Sequence, residues 1–210
     1  MHRPTLPLAL LLTVLPAPAR AELIPVSFEA TINTVSPPLD AGFTVGETVT
    51  GTFLVDTEAT DLEPVPDEGN YDGVSNFAAD FGGYAVTASS LSLLVRNGTG
   101  FMVDSFYVDG EPTGADVGGL APGNFILNLG DEQNTVFSSE AIPLTLSLAE
   151  FESANVSLLF PDGGFSRAVN ANITELTYGV PEPAAPLLTA VGALALACRM
   201  QAGRRRGSRR

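Results

Sequence analysis

Val26-Ser27-Phe28-Glu29-Ala30-Thr31-Ile32-Asn33 alternates apolar and polar residues without a break. Successive side chains of an extended chain point to opposite faces, so this octet reads as a strand with one face buried and the other wet. Thr48 to Asp56 repeats the pattern, with Val49, Gly51, Phe53 and Val55 on one face. Further short strands are expected over 74–81, 84–88, 90–96, 101–107, 124–129, 143–149, 155–160 and 168–178. Gly82-Gly83 and Asn97-Gly98 sit between pairs of them and suit tight hairpin turns, because both dipeptides accept positive φ. No stretch between Glu22 and Val180 places apolar residues at helical spacing over three turns. Strands about ten residues apart without intervening helices predict an all-β protein, an antiparallel β-sandwich or jelly roll over 22–179.

The charge of this central region narrows its chemistry. Of 24 Asp and Glu residues, 23 lie between Glu22 and Val180, against only Arg96 and Arg167. Such a surface repels phosphate backbones, so nucleic-acid binding is excluded. The chain has no lysine, and its one histidine (His2) and one cysteine (Cys198) lie outside the region. Ser-His-Asp and Cys-His catalysis, histidine zinc sites, Schiff bases and disulfides are therefore excluded there. Carboxylates remain. A pair of them could hydrolyse a glycosidic bond, but no motif distinguishes one pair from another and no tryptophan is present to form a sugar platform. The reading is of a region that is not an enzyme. Carbohydrate binding of a lectin-like kind is the alternative, and exposed tyrosines beside Asp or Asn would favour it.

Asp56, Glu58 and Asp61 crowd into six residues after a strand, with Glu63, Asp67, Glu68 and Asp72 following. Hard cations prefer oxygen ligands, so the first three are candidate calcium ligands. A solvated acidic loop explains the same residues without a metal, and is the preferred reading. Asp104, Asp109, Glu111 and Asp116 form a second, looser group. No other cofactor is indicated.

The two ends read as addresses. Residues 1–21 have a basic start at Arg3, an apolar stretch from Leu6 to Leu15, and small residues at Ala19 and Ala21. That is the pattern of a signal peptide cleaved by signal peptidase before Glu22. Residues 180–210 open with Val180-Pro181-Glu182-Pro183. An apolar run from Ala184 to Cys198 follows, then Arg199, Arg204, Arg205, Arg206, Arg209 and Arg210. A 15-residue helix rises about 22 Å, marginal for a bilayer core of about 30 Å, but Met200 to Gly203 lengthen it and Arg199 can snorkel. The arginines predict a stop-transfer anchor with the carboxyl end in the cytoplasm and the acidic body outside.

This tail resembles the PEP-CTERM sorting signal of Gram-negative bacteria: the triplet Pro181-Glu182-Pro183, a short Ala/Leu/Gly-rich transmembrane span, and a terminal arginine cluster. The resemblance implies recognition by exosortase, a membrane-embedded peptidase-like sorting enzyme. It also implies passage from an inner-membrane-anchored precursor to the cell surface or an extracellular polysaccharide matrix. The stretches at 51–56, 76–84 and 173–177 are similar to ectodomains carried by such tails, a likeness that implies no activity.

Overall fold

The computed structural model describes residues 23–63, 65–98 and 102–179; the expected signal peptide and sorting tail lie outside them. Eight antiparallel strands follow in chain order: β1 Leu23–Val35, β2 Thr48–Asp56, β3 Glu68–Phe81, β4 Tyr84–Arg96, β5 Asp104–Gly110, β6 Asn124–Asp131, β7 Ser153–Asp162 and β8 Phe165–Tyr178. Each pairs with its sequence neighbour, and β1 also pairs with β8, so the sheet closes into a barrel. The protein is all-β and antiparallel as its alternation predicts. The expected sandwich or jelly roll is corrected: there is one continuous sheet rather than two facing ones.

Closure needs the sheet to curl tightly, and bulges supply the bend. Asn76, at φ 54°, is the extra β3 residue where the register with β2 shifts. A second shift lies between Glu29 and Ala30 of β1, opposite Thr174 of β8. Closure leaves no open edge among the described strands.

The alternation places one face of every strand inside. Ile24, Val26, Phe28, Ala30 and Ile32 of β1 are at most 4 % exposed, and the intervening residues face water. Eight strands leave an interior that side chains can fill. Phe125 is fully buried there, 4.3 Å from the Phe77 ring centroid and 6.2 Å from that of Phe28. Phe28 lies over Gly51, its cross-strand partner, where an added Cβ would collide with the ring.

Both ends are plugged by the chain itself. At the end where β1 finishes, the short 3₁₀ turn Leu39–Ala41 buries Leu39, and Phe43 packs edge-on against Phe81 and Phe160. The opposite end, where β1 starts and β8 finishes, is crossed by the β6–β7 connection, whose Phe137, Ile142, Leu146, Leu148 and Phe151 pack on the core.

Three local expectations also change. The strands over 84–88 and 90–96 are one strand, β4: Ser89 and Ser90 break the alternation without leaving the ladder. Asn97-Gly98 is not a two-residue turn, since Arg96 pairs with Ser105 and the connection is longer. No strand forms over 143–149, despite alternating Leu144, Leu146 and Leu148. β6 and β7 pair directly from Gly130 with Ser153, so the closed ladder leaves that segment no partner. Gly82-Gly83 does make the tight turn expected, with φ 66° and 98° between the paired residues Phe81 and Tyr84.

Candidate functional site

The sorting residues Pro181, Glu182 and Pro183, the arginines of the tail, and Ala19, Ala21 and Glu22 at the cleavage site all lie outside the described residues. The calcium candidates lie inside. Asp56 ends β2, and its Oδ1 accepts the Glu58 N–H at 3.0 Å. Asp61 Oδ1 accepts the N–H groups of Glu63 (3.2 Å) and Asn70 (3.0 Å). These two carboxylates thus serve the loop's own backbone. Among the described residues, no group of three or more acidic, histidine or cysteine side chains is placed to hold a metal ion.

The looser acidic group is dispersed. Asp109 ends the outer face of β5, and Asp116 lies near Tyr84, whose hydroxyl donates to the Ala115 carbonyl. Asp104 is fully buried. It stands directly opposite Asp131 across β5 and β6, and Asp131 is only 2 % exposed. Two carboxylates can share the barrel end because backbone donors surround both. Asp104 Oδ1 accepts the Gly98 N–H at 2.6 Å, and its Oδ2 accepts those of Val136 (2.9 Å) and Phe137 (2.8 Å). Asp131 accepts the N–H groups of Gln133 and Thr135 and the Thr135 hydroxyl. The Asp104 N–H donates to Oδ1 of Asn134, which takes φ 55° to close the turn. The hydrogen bonds of both carboxylates fasten the β4–β5 and β6–β7 connections to the barrel. The pair is a structural node.

The Thr135 N–H, followed by the Gln133 N–H and the other donors, holds the Asp131 carboxyl below its ordinary pKa, against the opposing effect of burial. A folded pKa below the unfolded one means the stabilisation is complete above the unfolded value, about 4, and disappears as pH falls through the folded value. Asp131→Asn should therefore flatten the acid limb of a stability–pH curve below about pH 4. Urea unfolding from about pH 2 to 7 measures this, and parallel acid limbs in the two proteins would count against it.

The outer surface carries the groups open to a ligand. Tyr107, Asn128, Asn155 and Asn172 pair in succession across β5, β6, β7 and β8, forming one lane of side chains. All four are outward: their strand neighbours Phe106, Val108, Leu127, Leu129, Val156, Ala171 and Ile173 are buried. Directly opposed residues have Cβ atoms about 5 Å apart, close enough to meet one extended ligand. Asn172 Oδ1 accepts from Asn33 at 2.6 Å, whereas the Asn128 and Asn155 amides make no hydrogen bond among the described residues. Asp109 lies two residues along from Tyr107 on the same face, and burial raises both of their pKa values. An Asn124 hydrogen bond partly offsets the rise at Asp109. The lane opens at Asn155 and Asn172 into a concavity of about 460 Å³ that also includes Phe151 and Glu152.

A larger hollow, about 510 Å³, lies elsewhere on the outside, across β8, β1, β2, β3 and β4. Its rim carries Glu29, Asp80 and Glu175 with Ser27, Thr50 and Thr87, over a floor of Ala79, Gly51 and Val86. Glu29 and Glu175 are directly opposed, the closest approach to a hydrolytic carboxylate pair among the described residues of the hollow. The one aromatic in its described lining is Phe28, which is turned inward and 4 % exposed, so no ring is offered to a sugar there.

No protein-family model, characterised protein or solved structure matches this chain. In the sequence alone, Asn155 and Asn172 stand out only as glycosylation-like triplets, and the lane is not visible. Its signal is present in the outward positions of the alternation, but aligning them needs the register between strands.

Proposed function

We propose that the chain is an exported, non-enzymatic protein of the cell surface or extracellular matrix, carried outward by residues 1–21 and sorted through residues 180–210 in the PEP-CTERM manner. One observation supports the arrangement. β1 starts and β8 ends at the same end of the barrel, where Val26 pairs with Tyr178 and the Gly179 N–H donates to the Pro25 carbonyl at 2.9 Å. Both address segments therefore join the body at one end, and the rest projects away from the membrane. Proline lacks an N–H and disfavours helix, so the Pro-Glu-Pro sequence suits a segment whose backbone a membrane enzyme must reach. Replacing Pro181, Glu182 and Pro183 together by alanine should retain the protein in the inner membrane of an exosortase-bearing Gram-negative host. Fractionation and surface labelling read the outcome, and unchanged surface display would refute the sorting role.

The lane favours a second reading, in which the barrel binds carbohydrate. A tyrosine beside an aspartate and a row of amides combines a flat apolar ring with donors and acceptors for hydroxyl groups. An amide–hydroxyl bond contributes about 0.5–1.5 kcal/mol. For a glycan found by array screening, Asn155→Ala should weaken binding roughly three- to tenfold and Tyr107→Ala about tenfold or more. Glu29→Gln, in the other hollow, should leave it unchanged. Equal loss in all three variants, or no binding by the parent barrel, would reject the lane.

A further inference from the structure

An up-and-down barrel sends alternate connections to opposite ends. Here the start of β1, the end of β8 and the β2–β3, β4–β5 and β6–β7 connections share one end. Every one of those three connections exposes a large apolar side chain: Leu62 (59 %) and Val65 (53 %), Met102 (56 %), and Leu144 (60 %). Leu23, where β1 starts, adds another at 44 %. Among the described residues, the opposite end contributes only Val45, in the β1–β2 connection, and Phe165, where β8 starts, to the exposed large apolar set. Single exposed apolar residues are ordinary on a protein surface. A set distributed over all three loops around the chain's exit point is a different matter.

The length of the exit segment makes the placement consequential. The apolar run of the tail begins at Ala184, five residues beyond Gly179, which is fastened to β1 through the Pro25 carbonyl. Five residues reach at most about 18 Å fully extended, and about 15 Å in the polyproline conformation. A barrel so tethered cannot stand clear of a bilayer entered at Ala184.

We propose that this end of the barrel seats on a zwitterionic lipid surface, with Leu62, Val65, Met102 and Leu144 entering the headgroup region. The proposal rests on the reading of 184–198 as a membrane span. Zwitterionic lipid is specified because the β2–β3 connection and its flanking strand ends hold Asp56, Glu58, Asp61, Glu63, Asp67 and Glu68, and among the described residues of this end Arg96 is the one cation. That arginine is already committed to Glu68 at 2.7 Å, so anionic headgroups would be repelled. Seating would hold Pro181-Glu182-Pro183 in the interfacial layer, beside a membrane-embedded sorting enzyme, rather than leave it to diffuse there.

The test uses the full chain with Cys198→Ser, carrying one new cysteine at a time: Leu62→Cys, Met102→Cys, Leu144→Cys, Phe165→Cys at the far end, or Val191→Cys in the tail. Each is labelled with an environment-sensitive fluorophore and reconstituted into phosphatidylcholine vesicles containing a lipid-attached quencher. Labels at 62, 102 and 144 should shift to shorter wavelength and be quenched. The label at 165 should do neither, and that at 191 should be quenched most. Adding phosphatidylglycerol should relieve quenching at the three loops and not at 191. Quenching at 191 with loop labels resembling 165 would overturn the seat and leave the anchor intact. An unquenched label at 191 would remove the anchor and the seat together. Loop quenching that grows with phosphatidylglycerol would overturn the stated lipid preference.

Discussion

Asp104→Ala should destabilise the barrel by about 3–5 kcal/mol, because it orphans buried donors instead of merely deleting a contact. The Gly98, Val136 and Phe137 N–H groups all donate to this carboxylate, and only that of Val136 is shared with Asp131. A buried group left unpaired costs about 1–3 kcal/mol, and water entering the smaller site recovers part of the total for three. For a domain of this size the melting temperature should fall by about 10–15 °C. The loss should be local as well as global. Amide exchange at Val136 and Phe137 should accelerate more than at Leu127 or Val156 in the barrel wall, because the node fastens the β6–β7 connection. Asp104→Asn should recover little, since its amide nitrogen must present hydrogens toward at least one of the same donors. Urea unfolding and hydrogen exchange check both statements. Stability within about 1 kcal/mol of the parent would mean that the connections are held by their apolar contacts alone.

The local alternation in the chain specified nearly all of the wall, yet not its closure. Val26 to Ile32 shows which side chains turn inward, and that much is a property of consecutive residues. Whether β1 meets β8 depends on accumulated twist and on bulges at Asn76 and opposite Glu29, and these change the register by single residues. No periodicity announces such a shift. The same limit explains the false strand at 143–149, where Leu144, Leu146 and Leu148 alternate well. Pairing is decided by which edges remain open, and a closed barrel has none. The outer lane was hidden for a related reason: Tyr107, Asn128, Asn155 and Asn172 are far apart in the chain and become neighbours only through successive strand registers. The Asp104–Asp131 node was hidden in the same way: the sequence groups Asp104 with Asp109, Glu111 and Asp116, and only the β5–β6 register sets it opposite Asp131. Its backbone partners came from two separate connections.

Phe125→Ala should cost about 4–5 kcal/mol, toward the upper part of the range for removing a buried phenylalanine. The ring lies against both Phe77 and Phe28, so its loss removes apolar burial and two aromatic contacts together. How much a cavity costs depends on how far its walls can collapse. Here they cannot move far. Each strand is held on both sides by its ladder, and both ends are plugged, at one by Leu39 and Phe43 and at the other by the β6–β7 connection. The void should therefore stay open, dry and apolar, and benzene should bind in it and recover part of the lost melting temperature. Phe125→Leu should cost less than half as much, because most of the volume remains filled. The same rigidity separates core from surface. Tyr107 and Asn155 project from strands whose backbone pairing survives the mutation, so any glycan affinity measured below the new melting point should stay within about twofold of the parent's. If Phe125→Ala and Asn155→Ala weakened binding alike at a temperature where both are folded, the outer lane would depend on the packing beneath it, and the barrel could not be treated as a fixed frame for its exterior.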